Sequence, residues 1–201
     1  MRVFSGDSLL IATHNAGKLE EIAALLDGRG IRVLSMAEFG LPEPAETETT
    51  FAGNARIKAH AAAKATGLVA LADDSGLCVA ALGDRPGVYT ADWAETPNGR
   101  DFAMAMARVH QELEQSGATP PWSAAFVCTL VLAWPDGHDE VFEGRVAGQI
   151  VWPGRGDQGH GYDPIFQPDG YTLTFGEMDR WDKNKMSHRG RAFEKLLACF
   201  T

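Results

Sequence analysis

The sequence predicts an α/β protein built around a mixed β-sheet. Strand-like apolar segments alternate with helix-like segments along the chain, which is typical of parallel strands joined by helices. Two long β-like runs, 123–134 and 139–152, are joined by Pro135-Asp136-Gly137, which is typical of a tight turn. Such a hairpin adds antiparallel strands to the parallel ones, so the sheet is predicted to be mixed.

The remaining elements follow from apolar periodicity. The predicted strands are a buried one at 8–13 and another at 31–35, followed by apolar segments at 68–72 and 76–82 that are separated by Asp73-Asp74-Ser75. The first helix has Leu19, Ile22, Ala23 and Leu26 on one face and stops at Gly28 and Gly30, and an alanine-rich helix follows at 51–65. A third helix has Phe102, Met106, Val109 and Leu113 on one stripe, and a final helix from Ser187 has Phe193, Leu196, Leu197 and Phe200 on one face. The acidic stretch 42–50 predicts a loop or mobile flap, and the Gly/Pro-rich segment 153–170 shows no period.

Composition indicates one globular domain over residues 1–201. The chain is 45% hydrophobic and 22% charged, which excludes disorder and coiled coil, and it has no internal repeat or linker. The formal net charge of −9 repels polyanions, so no nucleic-acid partner is expected. An anionic small ligand would need a local concentration of donors or a metal ion.

Cysteine usage and hydropathy indicate a soluble, cytoplasmic protein. Cys78, Cys128 and Cys199 are widely separated, form no CxxC pair and lie in apolar runs, so buried free thiols are expected. The first residues contain no signal-peptide core, and the longest nearly apolar run, 124–134, is too short to span a bilayer. No membrane association is predicted.

A first candidate binding site lies between the first strand and the first helix. It consists of Thr13, His14, Asn15, Ala16, Gly17 and Lys18. A helix N-terminus offers unpaired N–H groups and the positive end of a dipole, Gly17 lets the backbone approach an anion, and Lys18 adds charge. The pattern is not a Walker A loop. The alternative is a plain strand-to-helix turn with an exposed lysine.

Asp73 and Asp74 form a second candidate, at the end of an apolar strand. Adjacent carboxylates repel each other unless a cation or donor shares them, and such oxygen ligands suit Mg²⁺. A second function open to the pair is general-base catalysis by one of the two carboxylates. The alternative is an Asx-type turn that uses aspartate for capping.

Two further candidates lie near the C-terminus. Lys183, Lys185, His188 and Arg189 place four donors at the start of the final helix, where cations oppose the helix dipole, so a local anion-binding surface is expected. The glycine-flexible loop 159–163 combines an imidazole, a phenol and a carboxylate, and is either a turn or a loop that binds a base and hydroxyl groups. The preceding G-x-G-x-x-G at 154–159 opens no helical pattern, so a dinucleotide site is not predicted.

In this order the motifs resemble the inosine triphosphate pyrophosphatase family, also called dITP/XTP pyrophosphatases. The resembling segments cover nearly the whole chain and read LLIATHNAGKLEEI, ETETTFAGNARIKA, LADDSGL, PGVYTADWA, GHGYDPIF and KMSHRGRAF. The resemblance implies two lobes around an elongated mixed sheet flanked by helices, with the active site in the cleft between the lobes. It also implies a Mg²⁺ requirement, usually a homodimer, and hydrolysis of non-standard purine triphosphates (ITP, dITP, XTP) to the monophosphate and pyrophosphate.

The resemblance also implies roles for individual residues. Thr13 through Lys18 would bind the triphosphate, and Glu46 and Asp74 would hold the metal. Asp74 would accept the proton, Asp73 would support it, and Ser75 would touch the substrate. The groups implied to surround the base and sugar are His160, Gly161, Tyr162, Asp163, Lys183, His188 and Arg189.

Three residues depart from the family pattern, and two alternatives stay open. Gly53 stands in place of a usual Glu, which removes one possible outer carboxylate around the metal. Asp92 replaces a frequent Arg, and His160 replaces a Phe or Trp. A Maf-type nucleotide pyrophosphatase would prefer pyrimidine or modified nucleotides. A non-catalytic nucleotide-binding regulator would release no pyrophosphate, and the Asp73-Asp74 pair argues against it.

Overall fold

The computed structural model describes residues 1–200 and confirms the mixed α/β class. The helices are α1 (Ala16–Leu26), α2 (Phe51–Thr66), α3 (Phe102–Ser116), α4 (Arg180–Met186) and α5 (His188–Leu196). The strands are β1 (Ser8–Ile11), β2 (Arg32–Ser35), β3 (Ala70–Val79), β4 (Arg85–Pro86), β5 (Glu95–Thr96), β6 (Gly99–Arg100), β7 (Trp122–Ala133), β8 (Asp139–Ile150) and β9 (Phe166–Pro168).

One seven-stranded sheet forms the centre of the fold. Its strand order is β2-β1-β3-β7-β8-β9, with β4 also paired to β3. Strand β1 is parallel to β2 and to β3, whereas β9 is antiparallel to β8, so the sheet is mixed as predicted. The predicted hairpin turn between β7 and β8 is also present, because the Trp134 N–H donates to the His138 carbonyl and the Gly137 N–H donates to that of Trp134.

The chain forms two compact units. Unit 1 comprises Met1–Asp74, Thr129–Glu143 and residues 192–200, and unit 2 comprises Ser75–Cys128 and Gly144–Arg191. The assignment of residues 1–201 to a single domain stays a prediction.

In unit 1, helix α2 packs on the sheet through alanines. Ala55, Ala59, Ala62 and Ala63 are buried in one cluster with residues of β1, β3 and β7. The Thr50 hydroxyl accepts from the Gly53 N–H at the start of the helix, and Gly67 ends it in a left-handed conformation. Because alanine side chains are short, the helix lies close to the sheet, and polar residues beside the alanines come within reach of the strands.

In unit 2, helix α3 covers the core. Ala105, Val109 and Leu113 are buried, and Phe102 and Met106 from the predicted stripe pack at its margin. Asp101 caps the helix by accepting from the Met104 N–H.

Both ends of the described chain are anchored in unit 1. Phe4 and Phe200 form a parallel bridge, and their rings lie 5.1 Å apart. Arg2 pairs with Asp136 at 2.6 Å, and its guanidinium lies 4.8 Å from the centre of the Trp134 ring.

The structure corrects two element predictions, those of the third strand and of the final helix. The segments 68–72 and 76–82 belong largely to one continuous strand, β3, so Asp73 and Asp74 lie within a strand and not at its end. Segment 153–170, for which the sequence shows no period, contains the short strand β9. The final helix ends at Leu196 and continues only as a short 3₁₀ turn, so Phe200 lies outside it, and the separate helix α4 precedes it. The acidic segment 42–48 has no regular structure, as predicted for a loop.

No helix within residues 1–200 combines the length and apolar character needed to cross a bilayer. The expectation of buried free thiols is confirmed, since Cys78, Cys128 and Cys199 are all buried and unbridged.

Thiol titration tests this burial. We expect the native protein to react slowly with Ellman's reagent, because the exposed fractions are 7% for Cys78 and 0% for Cys128 and Cys199. Burial also raises the pKa of the Cys199 thiol, which lowers its thiolate fraction. In guanidinium chloride three thiols per chain should react at once. Rapid reaction of any thiol in the native state would contradict the packing of its strand or helix.

Candidate active site

The loop from Thr13 to Lys18 forms the N-terminus of α1. The Asn15 side chain accepts from the Lys18 N–H at 3.1 Å, and the Asn15 N–H donates to the Thr13 hydroxyl at 3.1 Å. His14, Asn15 and Ala16 are exposed, and Gly17 and Lys18 are partly buried. The capped turn therefore presents backbone N–H groups of the first helical turn to solvent, the arrangement that binds phosphate in many proteins.

Lys18 is not the exposed lysine of a plain turn. Its ammonium lies 2.8 Å from Oδ2 of Asp73, whose side chain is 1% exposed. The positive charge at the start of α1 is therefore held at the middle of β3. Asp73 is in turn neutralised by a neighbour that comes from a different element.

Asp74 is buried on the side of β3 that faces α2. The Asn54 amide donates to Asp74 Oδ2 at 3.2 Å, and the Asn54 carbonyl oxygen accepts from the Glu48 N–H at 2.9 Å. Asn54 thus links the acidic segment, helix α2 and strand β3. An Asx-type capping turn is excluded for the Asp73-Asp74 pair, because both residues are in strand conformation.

Lys58, one helical turn after Asn54, supplies a second buried cation. Its ammonium forms an ion pair with Glu46, and its side chain is only 6% exposed. Burial acts to lower the pKa of Lys58, but the charges of Asp73, Glu46 and Asp74 outweigh burial and raise it. Lys58 therefore stays protonated and balances the acidic groups around it.

The pKa of the Asp74 carboxyl group is strongly raised. The pKa of Asp74 is raised to about 6, because burial and the charge of Glu46 raise it more than Lys58, Asn54 and Lys18 lower it. Glu46 therefore lies within electrostatic reach of Asp74, although 28 positions separate them in sequence. A carboxylate with a pKa near neutrality is suited to accept and return a proton.

In unit 2, loop 160–163 is built around Asp163. This aspartate is 2% exposed and accepts the His160 N–H at 2.6 Å. Lys183 of α4 forms an ion pair with the same oxygen, Oδ2. Gly159 has a φ of +79°, and a Cβ there would lie 2.1 Å from Asp163 Oδ2, so only glycine allows this closure.

The other side chains of loop 160–163 have different surroundings. His160 is exposed. Tyr162 is 1% exposed, and its hydroxyl donates to the Thr90 carbonyl at 2.8 Å, so this ring packs in the core and orients the loop. Burial raises the pKa of the Tyr162 phenol, so it stays protonated and keeps that bond.

The four donors predicted near the C-terminus also lie in unit 2, and each has different neighbours. Lys183 is committed to Asp163, and Lys185 is exposed beside Asp182. The His188 ring stacks on Phe126, with 4.9 Å between ring centroids. Arg189 and Ser75 are partly buried. The four donors therefore have different surroundings, and the anion-binding surface expected from the sequence stays a prediction. His188 and Arg189 begin helix α5 as predicted.

The predicted site residues thus fall into one group in each unit. Unit 1 holds the loop 13–18, Glu46, Asp73 and Asp74 together with two lysines, a set suited to phosphate and a divalent cation. Unit 2 holds Ser75, loop 160–163, Lys183, His188 and Arg189, a set of rings and hydrogen-bonding groups.

The Ham1 family model matches residues 9–199, which include both groups. The chain belongs to the Ham1 family. A dITP/XTP pyrophosphatase of Ruegeria pomeroyi is 66% identical to this Ham1-family protein over 200 residues, covering 99% of this chain and 98% of the relative. One of Gluconobacter oxydans is 55% identical and covers 96% of this chain and 90% of its own.

Solved Ham1 structures have the same fold. A HAM1 protein from Coxiella burnetii superimposes with a TM-score of 0.90 at 38% identity, covering 95% of this chain and 96% of its own. The predicted family relationship and the predicted fold class are both confirmed. The Maf-type alternative finds no support among these relatives.

Sequence reasoning missed Asn54 and Lys58 as site residues. Their spacing of four places them on one side of α2, and both are buried polar residues in a helix that is otherwise packed through alanine. Two polar side chains at i and i+4 beside an alanine stripe were the available signal.

The structure shows what surrounds each of the three residues that depart from the family pattern, Gly53, Asp92 and His160. A Cβ on Gly53 would lie 2.6 Å from Cβ of Glu48, so the Glu48 side chain fills the space where a residue-53 side chain would begin. Asp92 is exposed at the start of a 3₁₀ turn, and its charge raises the pKa of Tyr162. His160 is the exposed end of its loop.

The acidic residues of unit 1 fit a magnesium ion that is shared with substrate. Within residues 1–200 no three His, Cys, Asp or Glu side chains form a complete metal cage. Mg²⁺ commonly takes one or two carboxylates and completes its coordination with water and substrate phosphates. Asp74 and Glu46 provide such a pair, and the raised pKa of Asp74 reflects a burial cost that a cation would relieve.

The pH dependence of the stability of the metal-free protein tests whether the ionised Asp74 carboxylate is costly to bury. The folded-state pKa of about 6 lies above the ordinary aspartate value of 3.8, so folding favours the protonated form. The contribution of Asp74 to stability is therefore most favourable below pH 3.8 and is lost as the pH rises through about 6. Asp74→Asn should raise the free energy of unfolding at pH 7 by about 2–3 kcal/mol.

Urea denaturation with EDTA at pH 4 and pH 7 measures this difference. The exposed Asp157→Asn variant is the control and should change stability by less than about 0.5 kcal/mol at either pH. A destabilised Asp74→Asn protein at pH 7 would show that the ionised carboxylate is well compensated without metal.

Proposed function

We propose that this protein hydrolyses the non-canonical purine triphosphates ITP, dITP and XTP to the nucleoside monophosphate and pyrophosphate. The observation that carries the proposal is the identity of 66% over nearly the full length of a dITP/XTP pyrophosphatase. The chemistry of the unit 1 cluster supports it, because buried carboxylates, lysines and a helix N-terminus are the groups that phosphoryl chemistry requires.

Asp74 is proposed to be the general base. With a pKa of about 6 it is mostly ionised at neutral pH but still basic enough to take a proton from an attacking water. The Asn54 amide donates to one carboxylate oxygen and leaves the carboxyl group oriented relative to β3. Asp73 supports it from the neighbouring position, because its own charge is neutralised by Lys18.

The loop 13–18 is proposed to bind the triphosphate. Backbone N–H groups at the start of α1 and the Lys18 ammonium supply positive potential to phosphate oxygens. Lys18 is held by Asp73 at 2.8 Å, so its position is set before substrate arrives. Prior placement of a charge avoids reorganisation during the reaction.

Glu46 and Asp74 are proposed to hold Mg²⁺. When bound, the ion neutralises phosphate charge and polarises the phosphoryl oxygens. Lys58 stays protonated beside Glu46, so it keeps the acidic cluster compensated and leaves the carboxylates ionised.

The base and sugar are proposed to be bound by Ser75, loop 160–163, Lys183, His188 and Arg189. Hypoxanthine and xanthine present a carbonyl at C6, whereas adenine presents an amino group. Donors such as Arg189 would pair with the carbonyl and leave the adenine amino group facing donors, and unpaired polar groups are costly. The Lys183–Asp163 ion pair supports the fixed shape of the loop.

A homodimer and a cytoplasmic location are also part of the proposal, on the strength of the family resemblance. A net charge of −9 supports a small-molecule substrate over a nucleic-acid partner.

A nucleotide panel tests the proposal directly. Pyrophosphate and phosphate release should be measured for ITP, dITP, XTP, GTP and ATP with Mg²⁺ and with EDTA. We expect pyrophosphate from the first three, little from GTP and very little from ATP, and no reaction with EDTA. Equal cleavage of ATP and ITP would contradict the proposed selectivity, and nucleotide binding without pyrophosphate release would favour the non-catalytic regulator.

A magnesium titration tests Glu46. Glu46→Gln keeps the size of the side chain and removes its charge, so the Mg²⁺ concentration for half-maximal rate should rise about tenfold. Glu43→Gln, in the same exposed acidic segment, is the control and should leave the titration unchanged. An unaltered titration for Glu46→Gln would show that Glu46 does not hold Mg²⁺ and serves only as the partner of Lys58.

A further inference from the structure

Thr129 of β7 carries a buried hydroxyl that the proposed reaction does not use. Its side chain is 1% exposed, and Oγ1 has no hydrogen-bond partner among the described residues, 1–200. Leaving a hydroxyl unsatisfied in the interior is costly, so such groups are nearly always bonded, by an ordered water where no protein atom is in reach. The hydroxyl of Thr129 therefore points to a bound water.

Thr129 and Asp74 point to the same side of the sheet. Side chains alternate along a strand, so Thr129 shares a face of β7 with Val131 and Ala133. Both of these pack in the same cluster as Ala72 of β3. Asp74 shares its face of β3 with Ala72 for the same reason, and this is the face that α2 covers.

The packing of the flanking residues places Thr129 and Asp74 near each other across neighbouring strands. Strands β3 and β7 are neighbours in the sheet. Before Asp74 on β3, Ala72 packs in one cluster with Val131 of β7. After it, Leu77 packs in one cluster with Phe126, so Asp74 and Thr129 both lie between these two contacts. Side chains directly opposite on adjacent strands have Cβ atoms about 4.5–5.5 Å apart, a spacing that one water can bridge.

We propose that Thr129 is a positioning residue for Asp74. The Thr129 hydroxyl and the Asp74 carboxylate hold one buried water between them, and this water keeps the carboxylate in the orientation in which it accepts a proton. Thr129 touches neither substrate nor metal, and no covalent bond changes at its hydroxyl. The inference rests on the proposed role of Asp74 as general base.

Paired substitutions at position 129 test the inference. Thr129→Val removes the hydroxyl and keeps the branched shape, whereas Thr129→Ser keeps the hydroxyl. With XTP at saturating Mg²⁺, we expect Thr129→Val to lower kcat about three- to tenfold, the worth of one hydrogen bond. KM should stay unchanged, since the water orients the base and does not bind substrate. Thr129→Ser should stay within about twofold of wild-type kcat.

A high-resolution crystal structure gives a readout that does not depend on activity. Wild type should show a water within hydrogen-bonding distance of Thr129 Oγ1 and the Asp74 carboxylate, and Thr129→Val should lack it. The control for buried threonine is Thr174→Val, because Thr174 is 0% exposed and its hydroxyl donates to the Arg155 carbonyl at 2.7 Å. Thr174→Val should lower Tm.

The inference is overturned if Thr129→Val keeps kcat within twofold of wild type, or if no water bridges the two side chains. A raised Tm with unchanged kcat would identify the hydroxyl as an unsatisfied group that contributes nothing to the reaction. Failure of the proposed function is distinguishable, because wild type would then release no pyrophosphate from XTP whatever occupies the space beside Thr129.

Discussion

Two adjacent carboxylates in the middle of a buried strand are the constraint on which the unit 1 cluster depends. Because side chains alternate along β3, Asp73 and Asp74 point to opposite faces and need separate partners. Lys18 of α1 pairs with Asp73, and Asn54 of α2 bonds Asp74. The Lys18 ammonium lies 2.8 Å from the first acid, whereas the charges of Lys58 and Lys18 only partly offset the burial that raises the pKa of the second. The two neighbouring residues therefore differ: Asp73 is held in an ion pair, whereas Asp74 has a pKa near neutrality.

Helix α2 contacts the sheet through one face and carries polar residues on others. The alanine face lets it approach the sheet closely, which brings Asn54 and Lys58 to the buried acids. Roughly opposite that polar pair, Arg56 and His60 both bond Asp139 at the start of β8. The helix is therefore held on two sides, and the cation that balances the acidic cluster cannot move without disturbing its packing.

The parts of the molecule that follow from local pattern were predicted, and the parts that need distant partners were not. Apolar periodicity is enough for α1, α2, α3 and the hairpin. Strand β3 was divided in the prediction because Asp73-Asp74-Ser75 favours a turn locally. The Lys18 ammonium that pairs with Asp73 comes from more than fifty positions away in sequence. Helix α4 is polar and carries no apolar stripe.

The candidate site shows the same division. Glu46, Asp73, Asp74 and Lys18 were grouped from motifs, and the structure brings them together in unit 1. Lys58 was missed because its role depends on carboxylates from two other segments. Tyr162 was grouped with the binding residues by its place in the loop, yet its hydroxyl is taken by Thr90, a pairing across 72 positions that no spacing rule reveals.

The bridge between Phe4 and Phe200 brings the first and last described segments of the chain side by side. These two segments are held together by the contact between their rings and by the hydrogen bond from the Phe4 N–H to the Cys199 carbonyl. Neither interaction depends on which segment comes first in the sequence. A circular permutant that joins the ends by a short linker and opens in the 42–48 loop would keep every strand pairing of the sheet. In such a chain, α2 and strand β3 would be synthesised before loop 13–18 and α1.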